Sequence, residues 1–260
     1  MTIWDGLVLG LVQGLTEFLP VSSSGHLVIV QSLVPGFAQP GILFDVLLHA
    51  ATLGAVLLYF WRDVAGMAAS LLPGGDPVHR RLVGWIVAGT VPTGVIGVAF
   101  KDPLEALFHA PRAAAAMLLV TGALLWVSEV LARGRDPMDR IGVGRALAVG
   151  TVQGLAIVPG ISRSGSTIAA GSLLGIRPAD AARFSFLLSI PAIVGAVVLE
   201  VRHLAHPDIA WGPYLAGVVA AFASGLAAIH WLLGVIRRGR FRWFAVYCWL
   251  VGAGYLLLGP

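Results

Sequence analysis

The sequence predicts an all-α, polytopic membrane protein with an inverted-topology repeat, six transmembrane helices and two re-entrant helical hairpins. Three observations carry this expectation. Hydrophobic residues make up 58% of the 260 positions and charged residues only 12%, with a mean hydropathy of +0.88; a soluble domain carries about 25% charged residues. Apolar stretches of bilayer-spanning length recur along the chain, a crossing helix needing about 20 residues. Two longer stretches are broken midway by closely related Pro, Gly and Ser motifs. This composition excludes an ordinary cytosolic enzyme and a disordered chain. With Cys248 as the one cysteine, it also excludes an internally disulfide-bonded scaffold. The net charge of +4 is spread over too few charges to build a nucleic-acid groove, so the cations read as markers of cytoplasmic loops.

The first stretch, about 3–34, is interrupted at Leu19-Pro-Val-Ser-Ser-Ser-Gly25, and each half is too short to cross. It reads as a re-entrant hairpin, because irregular backbone at membrane depth survives only against protein or a watery cavity. It does not read as a secretory signal: Asp5 lies near its start and no basic segment precedes it. Crossings follow at about 42–61, 81–100 and 112–132. The second interrupted stretch, about 143–176, breaks at Pro159-Gly-Ile-Ser-Arg-Ser-Gly165 and reads as the second hairpin. Crossings at about 183–203, 211–235 and 241–259 complete the chain. Trp4, Trp61, Trp211 and Trp243 fall at expected interfaces, as anchors do.

Tracing these crossings puts 13 of the 17 Lys and Arg residues on one side, in loops 62–80, 133–145, 177–183 and 236–242 together with Arg81 at the edge of the first of them. Lys101, Arg112 and Arg202 fall on the other, and Arg163 lies inside the second hairpin. The positive-inside rule then predicts both termini outside and the first hairpin opening outward.

Residues 10–25 align without gaps on residues 150–165 with eight identities in sixteen, Gln13, Ser22 and Ser24 among them. The same shift of 140 pairs Phe44, Leu47 and Leu48 with Phe184, Leu187 and Leu188. The chain is therefore expected to be one membrane domain, 1–260, with repeats 1–135 and 141–260. One hairpin plus three crossings turns the second copy upside down, which places a site near the midplane where broken helices meet.

Charges at membrane depth are costly, yet Glu17, His26 and Arg163 sit at these breaks. Around them stand Gln13, Ser22, Ser23, Ser24, Gly25, Ser162, Ser164, Gly165, Ser166 and Thr167. Gln13 and Glu17 share a helix face. Ser and Gly at helix starts suit an anion, and an Arg guanidinium binds phosphate oxygens bidentately. Ser23 and His26 are candidate nucleophiles, and Glu17 is a candidate base or hard-metal ligand. The structural alternative is a buried Glu17–Arg163 pair that merely locks the hairpins. The residues alone leave a phosphatase and an anion or polyprenyl-phosphate transporter open. Asp45 and His49, four apart, are read either as a supporting shell for the site or as a local pair.

The segments Gln13-Gly-Leu-Thr-Glu-Phe-Leu-Pro-Val-Ser-Ser-Ser-Gly-His26 and Pro159-Gly-Ile-Ser-Arg-Ser-Gly165 closely resemble the two signature motifs of the undecaprenyl-diphosphate phosphatase family of the bacitracin-resistance type. The resemblance extends to Phe44-Asp-Val-Leu-Leu-His49 and Arg183-Phe-Ser-Phe-Leu-Leu-Ser-Ile-Pro191 and so to nearly the whole chain. It implies hydrolysis of undecaprenyl diphosphate at the outer face of the bacterial plasma membrane, recycling the lipid carrier for cell-wall synthesis. It also implies a divalent cation (Mg2+ or Ca2+) and often a homodimer. By position, Glu17 resembles the acidic catalytic or metal-binding residue, Ser23 the nucleophile, His26 the catalytic histidine and Arg163 the diphosphate-binding arginine, flanked by Ser162, Ser164 and Thr167. One departure stands out: Gln13 occupies a position where many members carry a second glutamate. As a neutral ligand it should weaken metal binding, and it moves proton transfer onto Glu17 and His26.

Overall fold

The structure, a computed structural model, describes residues 1–33, 42–201 and 211–260; Arg202 lies outside them. The described residues form twelve α-helices and one short 3-10 helix (Met138–Arg140), with one isolated bridge between Asp136 and Ile176 and no strand among them. Helix α1 (Ile3–Phe18) starts in a reciprocal cap: the Asp5 N–H donates to Thr2 Oγ1, and the Thr2 N–H donates to Asp5 Oδ2. It stops because Leu19, preceding Pro20, is extended (ψ 146°). Ser22, at φ 68°, then turns the chain into α2 (Ser23–Leu33).

Helix α3 (Ile42–Tyr59) bends by 78° into α4 (Trp61–Ser70). Helix α5 (Pro77–Ala99) begins at an Asp76 cap with Pro77 in its first turn; short α6 (Lys101–Leu107) and α7 (Pro111–Leu131) follow. The second half contains α8 (Gly142–Leu155), α9 (Arg163–Leu173), α10 (Pro178–Val201), α11 (Trp211–Arg237) and α12 (Arg242–Leu258).

Four of these helices, α5, α7, α10 and α11, are long and apolar enough to cross a membrane, and the bent α3–α4 pair makes a fifth candidate. At 17 residues, α12 is apolar but shorter. Each of the six expected segments falls mainly on one of these helices, while length and apolarity qualify four of them, or five with the bent pair, as crossings. The boundaries differ where the helix ends are polar. Segment 62–80, expected to be a loop, is helical to Ser70 because Trp61 to Ser70 is amphipathic rather than uniformly apolar. Helix α10 starts five residues before the expected 183, its first turn carrying Asp180 paired with Arg177.

Large apolar side chains cover much of the outside. Val87, Val91, Val95 and Val98 form an exposed stripe along α5, and Trp4, Trp61, Trp211 and Trp243 are all exposed. A contiguous apolar exterior of this kind suits hydrocarbon rather than water. Inside, the core is dense: Phe18 meets Phe186 edge-on at 5.7 Å, with Leu118, Leu125, Leu187 and Leu188 fully buried.

Small residues bring the helices of the two halves together. Helix α1 lies along α11, where a Cβ on Gly10 would stand 2.2 Å from the Gly217 carbonyl oxygen. Helix α8 lies along α5, where a Cβ on Gly150 would stand 1.9 Å from the Gly89 oxygen. Gly10 and Gly150 are equivalent in the repeat, and each contacts a helix from the other half. Close backbone approach through glycine is how membrane helices associate without a hydrophobic driving force. Polar ties brace the same packing. Thr93 Oγ1 donates to the Gly150 carbonyl (2.8 Å), and Gln153 donates to Thr93 Oγ1 (3.1 Å). Tyr59 meets His230 across helices at 3.3 Å. At the polar ends Asp63 pairs with Arg183 and Glu129 with Arg242.

Candidate active site

The two helix breaks meet. The Gly160 N–H donates to Ser22 Oγ (3.1 Å), and Ser164 Oγ donates to the Leu19 carbonyl (3.0 Å), so each break holds the other. Gly160 sits at φ 93°, and a Cβ there would lie 2.1 Å from the Ala114 carbonyl, so glycine is required on both counts. Thr121 on α7 completes the frame: its hydroxyl donates to the Gly160 carbonyl (2.8 Å) and accepts from the Ser162 N–H (3.0 Å).

Glu17, in the last turn of α1, is the hub of this junction, with a side chain 5% exposed. One carboxylate oxygen accepts from Arg163 Nη2 at 2.8 Å. The other accepts from Ser23 Oγ at 2.6 Å and from Gln13 Nε2 at 2.9 Å. The expected pairing of Gln13 and Glu17 on one helix face is therefore direct. Two polar atoms here are buried and unpartnered, Gln13 Oε1 and Arg163 Nη1. Burying a guanidinium nitrogen without an acceptor is costly, and an anionic oxygen would satisfy it. A cleft of about 230 Å³ opens onto this group, lined by Glu17, Ser22, Ser23, Ser24, Ser162 and Arg163.

Not every expected site residue faces the cleft. His26 is buried one turn along α2, with Nδ1 2.8 Å from the Ser22 carbonyl and Nε2 2.9 Å from the Tyr247 hydroxyl. The carbonyl fixes the proton on Nδ1, so Nε2 accepts from Tyr247, whose ring stacks on the imidazole. Thr167 turns inward, hydrogen-bonded to the Arg163 carbonyl and to Ser185 Oγ (2.5 Å). The Gly25 and Gly165 N–H groups donate to Ser22 and Ser162 hydroxyls of their own turns. These hydroxyls therefore cap helices as well as lining the cleft.

Tyr247 and Thr121 were not foreseen. Both lie inside uniformly apolar stretches, Thr121 39 residues before Gly160 and Tyr247 221 residues after His26, and no spacing in the sequence connects them to the motifs they support.

The chain matches the family described as "Bacitracin resistance protein BacA" over residues 6–254. It belongs to that family. The "Undecaprenyl-diphosphatase" of Desulfatibacillum aliphaticivorans is 48% identical over 96% of each chain. Its namesake in Syntrophotalea carbinolica is 48% identical over 99% of each, and that of Rhodopirellula baltica 41% identical over 97% of this chain and 95% of its own. The bacitracin-resistance match spans both halves and both helix breaks, so it covers every residue of the Glu17–Ser23–Arg163 group.

Proposed function

We propose that the chain is a membrane phosphatase that hydrolyses undecaprenyl diphosphate to undecaprenyl phosphate and inorganic phosphate, the activity for which its relatives are named. The observation that carries the mechanism is the 2.6 Å hydrogen bond from Ser23 Oγ to Glu17, with Arg163 on the opposite carboxylate oxygen. A hydroxyl donating to a buried carboxylate is an activated nucleophile. Ser23 attacks the terminal phosphorus and its proton passes to Glu17. The bond to the bridging oxygen breaks and undecaprenyl phosphate leaves. Glu17 hands that proton to the departing phosphate, and water then attacks the phosphoserine, one of its protons moving through Glu17 to Ser23 Oγ as the Ser23 O–P bond breaks and inorganic phosphate leaves. Arg163, through its unpartnered Nη1, offsets charge on the transferring phosphoryl group, the main lever in phosphoryl transfer. His26 supports the Ser22 turn in this reading, since both ring nitrogens are engaged.

The Glu17 carboxylate and the unpartnered Gln13 Oε1 are hard oxygen donors suited to Mg2+ or Ca2+. No cluster of three His, Cys, Asp or Glu stands among the described residues, so phosphate oxygens and water would complete the shell. Such a cation would neutralise phosphate charge when bound.

Six crossings and two re-entrant hairpins, in inverted repeats, belong to the same reading, with both termini and the cleft mouth outside. The distribution of cations supports it. Pairing into a homodimer rests on the family resemblance alone. Phosphate release from undecaprenyl diphosphate in detergent tests the activity, because detergent abolishes transport and spares hydrolysis. A carrier of polyprenyl phosphate without hydrolysis would release none.

A further inference from the structure

A second cleft, of about 440 Å³, adjoins the first, with Ser24 lining both. Its chemistry is divided. Leu27, Val28 and Phe108 give it an apolar wall, while His49, His109 and Asp45 supply the polar side. His49 lies within Coulombic reach of Glu17. Its Nδ1 is 2.8 Å from the Asp45 carbonyl, which fixes the proton there. Nε2 is then the nitrogen left for a ligand, an acceptor when neutral and a donor when protonated beside an anion. Phe108 and His109 are exposed at the turn before α7, so the cleft opens on the side carrying Lys101 and Arg112.

We infer that this second cleft holds the leaving half of the substrate, the phosphate that stays on the lipid together with the first isoprenyl unit of its tail. The proposal rests on the phosphatase reading and adds a division of labour: Arg163 grips the phosphoryl group being transferred, and His49 and His109 take the phosphate that departs. Three features favour this occupant. The two clefts are neighbours with Ser24 in the wall of both, as two linked phosphates require. Two imidazoles outnumber the one carboxylate. The apolar wall of Leu27, Val28 and Phe108 begins where a prenyl chain would follow. A free inorganic phosphate has no use for that wall.

The test is direct binding of farnesyl monophosphate and of inorganic phosphate to the full chain in detergent, with turnover of farnesyl diphosphate measured alongside. Losing one hydrogen bond to a charged group costs about tenfold in affinity. His49→Gln and His109→Gln should each weaken farnesyl monophosphate binding by about that factor and raise KM, with inorganic phosphate binding shifted less than about twofold. Phe108→Ala should weaken farnesyl monophosphate binding alone. His109 and Phe108 are exposed, so their variants keep the test valid if His49→Gln fails to fold. Unchanged farnesyl monophosphate binding in His109→Gln and Phe108→Ala, or an equal loss for both ligands, overturns the assignment. Absence of turnover in the unsubstituted chain would sink the phosphatase reading instead, leaving the binding comparison to judge the cleft.

Discussion

Replacing Arg163 by alanine should unfold this protein at a markedly lower temperature as well as inactivate it. Glu17 keeps a side chain only 5% exposed, and Arg163 is the one cation hydrogen-bonded to it among the described residues. Without Arg163 the carboxylate would retain only the neutral donors Ser23 and Gln13. Removing one partner of a buried ion pair costs about 3–5 kcal/mol. In a chain of this size each kcal/mol lowers Tm by about 2–4 °C, so Arg163→Ala should fall by about 6–20 °C in detergent. Arg163→Gln combined with Glu17→Gln removes both charges and should recover at least half of that loss. Arg163→Lys should keep most of the stability but lose about 100-fold in turnover, because a point charge cannot grip phosphate bidentately. Scanning fluorimetry and phosphate release read both quantities on one preparation. If Arg163→Ala melted within about 2 °C of the parent, or the double variant melted no higher than Arg163→Ala, the buried-pair argument would fail.

Three further outcomes follow from the geometry. Gly150→Ala drives a methyl group into the Gly89 carbonyl and should cost about 1–3 kcal/mol; Gly84→Ala, with open space around it, should leave Tm unchanged or slightly raised. Ser22→Ala strands the buried Gly160 N–H and should cost about 1–3 kcal/mol; Ser22→Gly relieves the positive φ but not that loss, so its Tm should recover only in part. Gln13→Glu adds a second carboxylate beside Glu17, and the Mg2+ concentration giving half-maximal turnover should drop several-fold; a rise would remove Gln13 from the cation site.

How far the sequence anticipates this molecule depends on what each residue's role requires. The breaks after Leu19 and Val158 were legible because Pro, Gly and Ser act locally on the backbone, and a polar motif repeated at a constant offset stands out in an apolar chain. The meeting of Glu17 and Arg163 followed from burial cost, since two opposite charges at membrane depth require each other. Helix α4 escaped because hydropathy detects spans, not amphipathic segments. Which way a hydroxyl points was also beyond reach. Thr167 turns away from the cleft because Ser185 on α10 waits for it, and His26 is engaged because Tyr247 arrives from the last helix. Those orientations are decided by packing between distant segments, which local pattern does not encode.

The account stands or falls on the covalent step at Ser23. Rapid quenching of the protein during turnover of undecaprenyl diphosphate labelled in its terminal phosphate, followed by peptide mass analysis, should recover phosphate on Ser23 and none after Ser23→Ala, which should also abolish release. Phosphate recovered on His26, or release persisting in Ser23→Ala at near-parental rate, would contradict it.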